Sequence, residues 1–228
     1  MIVVRDIKNK FHIPCCHINI PSPCRISHAW LQCFVTPSYQ MASAKRHKIK
    51  CLSLSNTQHS LDTIWFLLQA CRYLIVAAKS GDVNTAKILV KCTNDNCSID
   101  GATSSTPLIL AADNGHVDVV RVLLEGGVNA ERDNNFQWTA LHYAAYYGYL
   151  DVCRLLLDWG VNLGPLNTWK DTPLHLAAWR GHLSVVKLLV ERGADVRLKN
   201  DQGQTASDMA RIEGYGGVAE WLDSLSSG

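Results

Sequence analysis

Cysteines and histidines offer this chain its most obvious chemistry, and the first question is whether they form a site. Cys15, Cys16, His17, Cys24, His28 and Cys33 crowd one stretch near the N-terminus. Thiolate and imidazole together are the ligands of zinc, but structural zinc sites present close Cys pairs separated by a set interval. These six are irregularly spaced, with Pro21 and Pro23 among them, so no metal centre is expected. Farther along, His142 and His175 stand 33 residues apart, and His116 and His182 each follow a glycine. A histidine acting as a base needs a nucleophile or a carboxylate partner, and no such partner recurs beside these. No phosphate-binding glycine loop, nucleophile elbow or metal motif occurs in the 228 residues. The sequence predicts no enzyme, no cofactor and no metal.

The periodicity of those histidines belongs to a larger pattern. Four segments align: TPLILAADNGH (106–116), TALHYAAYYGY (139–149), TPLHLAAWRGH (172–182) and TASDMARIEGY (205–215). Thr106, Thr139, Thr172 and Thr205 follow one another at intervals of 33 residues. A weaker copy, LIVAAKSGD (74–82), precedes them. Each copy reads as a helix start: threonine is a good N-cap, and Pro107 and Pro173 occupy a first helical position where a missing N–H costs nothing. The pairs Ala111/Ala112, Ala144/Ala145 and Ala177/Ala178 permit close helix approach, and Gly115, Gly148, Gly181 and Gly214 end the helices. Second helices follow in VDVVRVLLEGG, LDVCRLLLDWG and LSVVKLLVERG, with apolar residues at helical spacing. No unit has enough core to stand alone, so neighbours must stack.

With its TPLHLAA motif and 33-residue period, the region from about residue 70 to 228 resembles the ankyrin repeat family. The resemblance implies an all-α solenoid of about five helix–turn–helix units joined by short β-turn loops. It implies a protein-binding role, and it casts His142 and His175 as hydrogen-bonding groups within or between repeats. It also implies two partner-facing surfaces: the loops before each threonine and the exposed end of each first helix. Those positions hold Phe136, Trp138, Tyr146, Tyr147, Trp169, Asp171, Trp179 and Arg180, with Asp113 one repeat earlier. Trp, Tyr and Arg are the types enriched at binding hot spots. The six aromatics are expected to anchor apolar groups of a protein or peptide in the concave groove, with Asp113, Asp171 and Arg180 setting polarity and register.

Charge and composition frame this expectation. Residues 1–60 carry eight Lys/Arg against the single Asp6, whereas residues 105–228 carry ten basic and fifteen acidic residues. Three parts are predicted: a basic, Cys-rich leader without fixed structure (1–60), a degenerate first repeat (61–104) and four repeats ending in a polar cap (105–228). Met41 opens a more ordinary-looking start than Met1, so the first 40 residues need not belong to the working protein. The start has no apolar signal segment, which favours free thiols in a reducing compartment. Residues 61–78 are mostly apolar but interrupted by Asp62, Gln69 and Arg72, against a membrane span. The run Lys45, Arg46, His47, Lys48 and Lys50 admits nuclear import, while the acidic body argues against nucleic-acid binding. The expectation is a monomeric, non-enzymatic cytoplasmic adaptor, with a nuclear location as a second possibility. The alternative is the regulatory or substrate-recognition portion of a larger enzyme, channel or ubiquitin-ligase assembly.

Overall fold

A computed structural model of the chain describes residues 61–91 and 104–226. The cysteine–histidine set, the basic run and the whole of the leader lie outside the described residues. Among those described there are ten α-helices and no strand. They form five antiparallel pairs: α1 (Leu61–Ser80) with α2 (Val83–Leu89), α3 (Pro107–Asp113) with α4 (Val117–Glu125), α5 (Ala140–Tyr147) with α6 (Leu150–Asp158), α7 (Pro173–Trp179) with α8 (Leu183–Glu191), and α9 (Ala206–Ile212) with α10 (Gly216–Ser226). The first, inner helices pack successively on one another, and the outer helices α2, α4, α6 and α8 do likewise but less intimately. None of the described helices is long and apolar enough to cross a membrane.

Small residues make the inner contact possible. Ala111, Ala112, Ala144, Ala145, Ala177 and Ala178 have no exposed surface, so inner helices meet almost backbone to backbone. Outer helices contribute the branched residues: Val119, Val120, Leu123 and Leu124 in α4, then Val185, Val186, Leu188 and Leu189 in α8. Cys153 occupies the α6 position matching Val120 and Val186, fully buried in one continuous apolar core. Burial pushes its thiol up to about 12, so it packs as a small protonated apolar group.

Helix starts follow the threonine rule and extend it. The Thr172 backbone N–H donates to His175 Nδ1 (3.2 Å), and the His175 N–H donates back to Thr172 Oγ1 (3.4 Å). Thr205 and Asp208 form the same reciprocal box, with the Thr205 N–H on Asp208 Oδ2 (3.0 Å) and the Asp208 N–H on Thr205 Oγ1 (3.2 Å). Each box satisfies backbone donors that the helix itself leaves open.

The helix ends use a different device. Gly148 has φ +77°, and any side chain there would collide with the His182 ring from the next repeat. That ring donates through Nε2 to the Tyr146 carbonyl (3.0 Å), satisfying one acceptor at the end of α5. Gly181 is covered in the same way by the Tyr215 ring. The glycines thus end a helix and also seat an aromatic ring from the neighbouring unit.

The loops between pairs are hairpins organised by asparagines that recur at the same period. Asn134 Oδ1 accepts from Phe136 N–H (2.9 Å) and Trp138 N–H (3.0 Å). Asn167 Oδ1 does so from Trp169 N–H (2.9 Å) and Asp171 N–H (2.8 Å), and Asn200 Oδ1 from Gln202 N–H (3.1 Å) and Gln204 N–H (3.0 Å). Neighbouring tips are tied by backbone bonds, Thr168 N–H to the Phe136 carbonyl (3.2 Å) and Asp201 N–H to the Trp169 carbonyl (3.0 Å).

One tip position is left-handed in every hairpin. Gly203 adopts it freely at φ +76°, but Gln137 (φ +59°) and Lys170 (φ +60°) must pay for it. A left-handed L-residue costs roughly 1–2 kcal/mol, partly offset by the extra unfolded-state freedom of glycine. Gln137→Gly with Lys170→Gly should therefore stabilise the chain by about 1 kcal/mol in total, raising the thermal midpoint by roughly 2–4 °C. A calorimetric scan showing no rise, or a fall, would contradict this reading of the tips.

Candidate partner-binding site

The aromatic residues come from two adjacent hairpins and the inner helices that follow them. Phe136 and Trp169 occupy equivalent tip positions, so the backbone bond between the tips brings their rings together, 6.4 Å apart and 12° from parallel. Trp138 lies one turn deeper, with its centroid 4.9 Å from Tyr143 and 5.6 Å from Tyr146. Tyr146 continues the chain to Tyr147 (4.9 Å) and to Trp179 on α7 (5.6 Å), and the Arg180 guanidinium sits 4.9 Å over the Tyr146 ring. The result is a network of rings running from Trp138 to the ends of two inner helices, with the stacked pair at the hairpin tips beside it.

Exposure divides this network. Phe136, Tyr147 and Trp169 remain 46%, 44% and 46% exposed, whereas Trp138, Tyr146 and Trp179 are partly buried beneath them. Between the rings lies a shallow recess of about 250 Å³, lined by Phe136, Trp138, Tyr143, Tyr146, Tyr147 and Trp169. Trp138 Nε1 is buried and has no hydrogen-bond partner among the described residues. An orphaned buried donor is uncommon and asks for a reason.

Tyr143 joins the site although the sequence pattern did not single it out. It occupies the α5 position held by Leu110 and Leu176 in the neighbouring repeats, which reads as core. Its hydroxyl accepts from Asn134 Nδ2 (3.0 Å), tying the hairpin to the helix. A hydroxyl-bearing ring at an aliphatic position of the repeat was the signal available.

Asp171 requires a correction. It was expected to face a partner and set register, but it is only 7% exposed. Its carboxylate accepts from Asn200 Nδ2 (3.0 Å) and lies 3.5 Å from Asn167 Nδ2, while its carbonyl accepts from His142 Nε2 (3.2 Å). A buried carboxylate needs such partners, and here they bind one hairpin to the next. Arg180 is exposed and Asp113 partly buried, both at the ends of inner helices as anticipated. The structure brings Asp113 close enough to influence Tyr143 and Tyr147. Both phenols are raised, chiefly by burial and further by the Asp113 charge.

His142 and His175 are absorbed by the frame. Each accepts on Nδ1 from its own threonine N–H, and each donates from Nε2 across to the next hairpin: His142 to the Asp171 carbonyl, His175 to the Leu198 (3.1 Å) and Gln204 (3.3 Å) carbonyls. Both nitrogens are occupied, and burial holds the His142 pKa down at about 4. Burial also lowers His175, against the opposing charge of Asp171. Neither ring is free to exchange a proton with a substrate at neutral pH. Their arrangement serves a repeat array, each ring joining one unit to the next.

Comparison with protein-family models agrees. A model described as ankyrin repeats (3 copies) matches residues 74–165, and one described as ankyrin repeats (many copies) matches residues 141–190. The chain belongs to the ankyrin repeat family. No curated protein sequence matches it.

The histidine environment carries a pH signature. The neutral form of His142 is the folded one, and in the unfolded chain the group returns to about 6.5. Between those values the unfolded state binds the extra proton, so stability is complete above about pH 6.5 and declines as pH falls toward 4. The slope should approach about 1.4 kcal/mol per pH unit for one such group, with His175 adding to it. Thermal midpoints measured from pH 8 to pH 4 should stay level down to about 6.5 and then drop. A midpoint unchanged down to pH 4.5 would contradict the buried neutral assignment.

Proposed function

We propose that the chain is a non-enzymatic adaptor or scaffold that docks a protein or peptide segment along the inner-helix face of its second to fourth repeats. Ankyrin repeats are in general protein-interaction modules and are typically non-catalytic, and the inner-helix face, with the hairpin tips beside it, is where the family resemblance places partner contacts. One observation supports this stretch above others. Three large aromatic rings, Phe136, Tyr147 and Trp169, stand nearly half exposed at the rim of a single recess, backed by Trp138, Tyr143 and Tyr146. Leaving such apolar area in water forgoes roughly 25 cal/mol per Å², and contiguous patches of this kind mark interaction sites. The anchors are Phe136, Tyr147 and Trp169 at the rim with Trp138, Tyr146 and Trp179 beneath, and Asp113 and Arg180 supply charge at the two ends.

Rim residues allow a test that spares the fold. Phe136→Ser with Trp169→Ser removes the two stacked tips and leaves Asn134, Asn167 and their backbone bonds in place. Affinity purification with the full chain should recover bound proteins that the double variant loses by about ten-fold or more, while its circular dichroism keeps the helical signal. Undiminished recovery by the folded variant would remove this surface from the binding reading.

A further inference from the structure

We propose that the recess among Phe136, Trp138, Tyr143, Tyr146, Tyr147 and Trp169 receives a proline-rich segment of the docked partner, held in the extended polyproline II form. This rests on the docking reading above and adds the chemistry that the recess selects. Its lining side chains are all aromatic, and four of them carry a polar hydrogen: the Trp138 indole and the Tyr143, Tyr146 and Tyr147 phenols. Trp138 Nε1 is buried without an acceptor. The Tyr143 oxygen takes Asn134 Nδ2, which leaves its own hydrogen to give. The Tyr146 and Tyr147 hydroxyls make no hydrogen bond among the described residues.

A donor covered and left unpaired costs more than the hydrogen bond it forgoes, so the occupant that suits this recess brings carbonyls. Proline brings them without donors of its own, because its nitrogen has no N–H for the rings to strand. A polyproline II segment makes no internal hydrogen bonds, which leaves its carbonyls open, and its preset form loses little freedom on docking. Its pyrrolidine rings lie against aromatic faces, as extended proline-rich peptides do in aromatic-lined grooves. Phe136 and Trp169, 12° from parallel, present two such faces side by side at the rim. They stand on hairpin tips and can turn aside to admit a carbonyl to Trp138 without moving a helix.

The surrounding charges select a neutral segment. Arg180 is already set over the Tyr146 ring, and Lys79 already acts on Asp113 at the neighbouring helix end. Among the described residues no charged side chain lines the recess itself. A charged group entering it would leave water without a counter-charge, which is costly. A run of prolines brings no charge and gives its apolar rings to the walls.

The test uses capped peptides on the whole chain. Trp138 and Trp169 indole resonances are followed while acetyl-decaproline amide is added, and separately a capped leucine–serine peptide of the same length. The proline peptide should shift both resonances saturably and move the Trp138 indole proton downfield as it gains an acceptor. The leucine–serine peptide should bind at least about ten-fold more weakly. Tyr146→Phe with Tyr147→Phe keeps both rings and removes two donors, and should weaken the proline peptide by about five-fold or more. Equal binding of the two peptides, a Trp138 proton that stays in place, or indifference to the loss of the two hydroxyls would overturn the proposal while leaving the docking surface intact. No binding of the proline peptide, when the Phe136→Ser and Trp169→Ser variant still loses its partners, would overturn it also. Full partner recovery by that variant would instead count against the docking reading itself.

Discussion

His142 Nε2 donating to the carbonyl of Asp171, 29 residues away, is the interaction on which this architecture turns. A helix pair of this size cannot bury its apolar face alone, and its hairpin cannot satisfy its own backbone. The same ring takes the Thr139 N–H on its other nitrogen, so one side chain closes a helix start and fixes the next hairpin. His175 repeats the arrangement one unit on. In the fifth repeat Asp208 keeps the first task, accepting the Thr205 N–H on Oδ2, and as a carboxylate it has no N–H to donate onward. Ile109, at the same position of the second repeat, has neither function, and Thr106 caps alone by accepting the Ile109 N–H (3.2 Å).

Fixing the hairpins from below is what permits the aromatic surface above. Asparagine side chains hold each tip in shape, backbone bonds set the tips side by side, and the rings at those tips are free of structural duty. Phe136 and Trp169 therefore stack because their backbones are registered. Trp138 and Tyr146 are partly consumed by packing, so the surface grades from rigid to exposed within one cluster. Large aromatic side chains held this way bring contact area at low entropic cost.

Much of this was legible in the residues. Thr106, Thr139, Thr172 and Thr205 with the alanine pairs defined the helix starts and the close inner contact, because capping and packing are local chemistry. Asn134, Asn167 and Asn200 carried the same 33-residue interval, yet a loop asparagine looks like any solvated polar residue until its two backbone partners are seen. Asp171 misled for the same reason: a charged loop residue reads as exposed, and its burial depends on Asn200 in the next repeat. Tyr143 sat at a helical phase that predicts core, and only the Asn134 amide reveals its second role. Contacts between units were harder to foresee than those within them.

Order passes from the third repeat to the fourth and from the fourth to the fifth through these two histidines, and hydrogen exchange tests this at the first of the two junctions. With His142→Ala in the full chain, amide exchange is measured for Trp169 and Asp171, whose N–H groups are held by Asn167 Oδ1 in the neighbouring hairpin. Both should lose protection together with Thr139 and helix α5. Exchange that accelerates only within residues 139–147, leaving Trp169 and Asp171 as slow as in the unmodified chain, would contradict it.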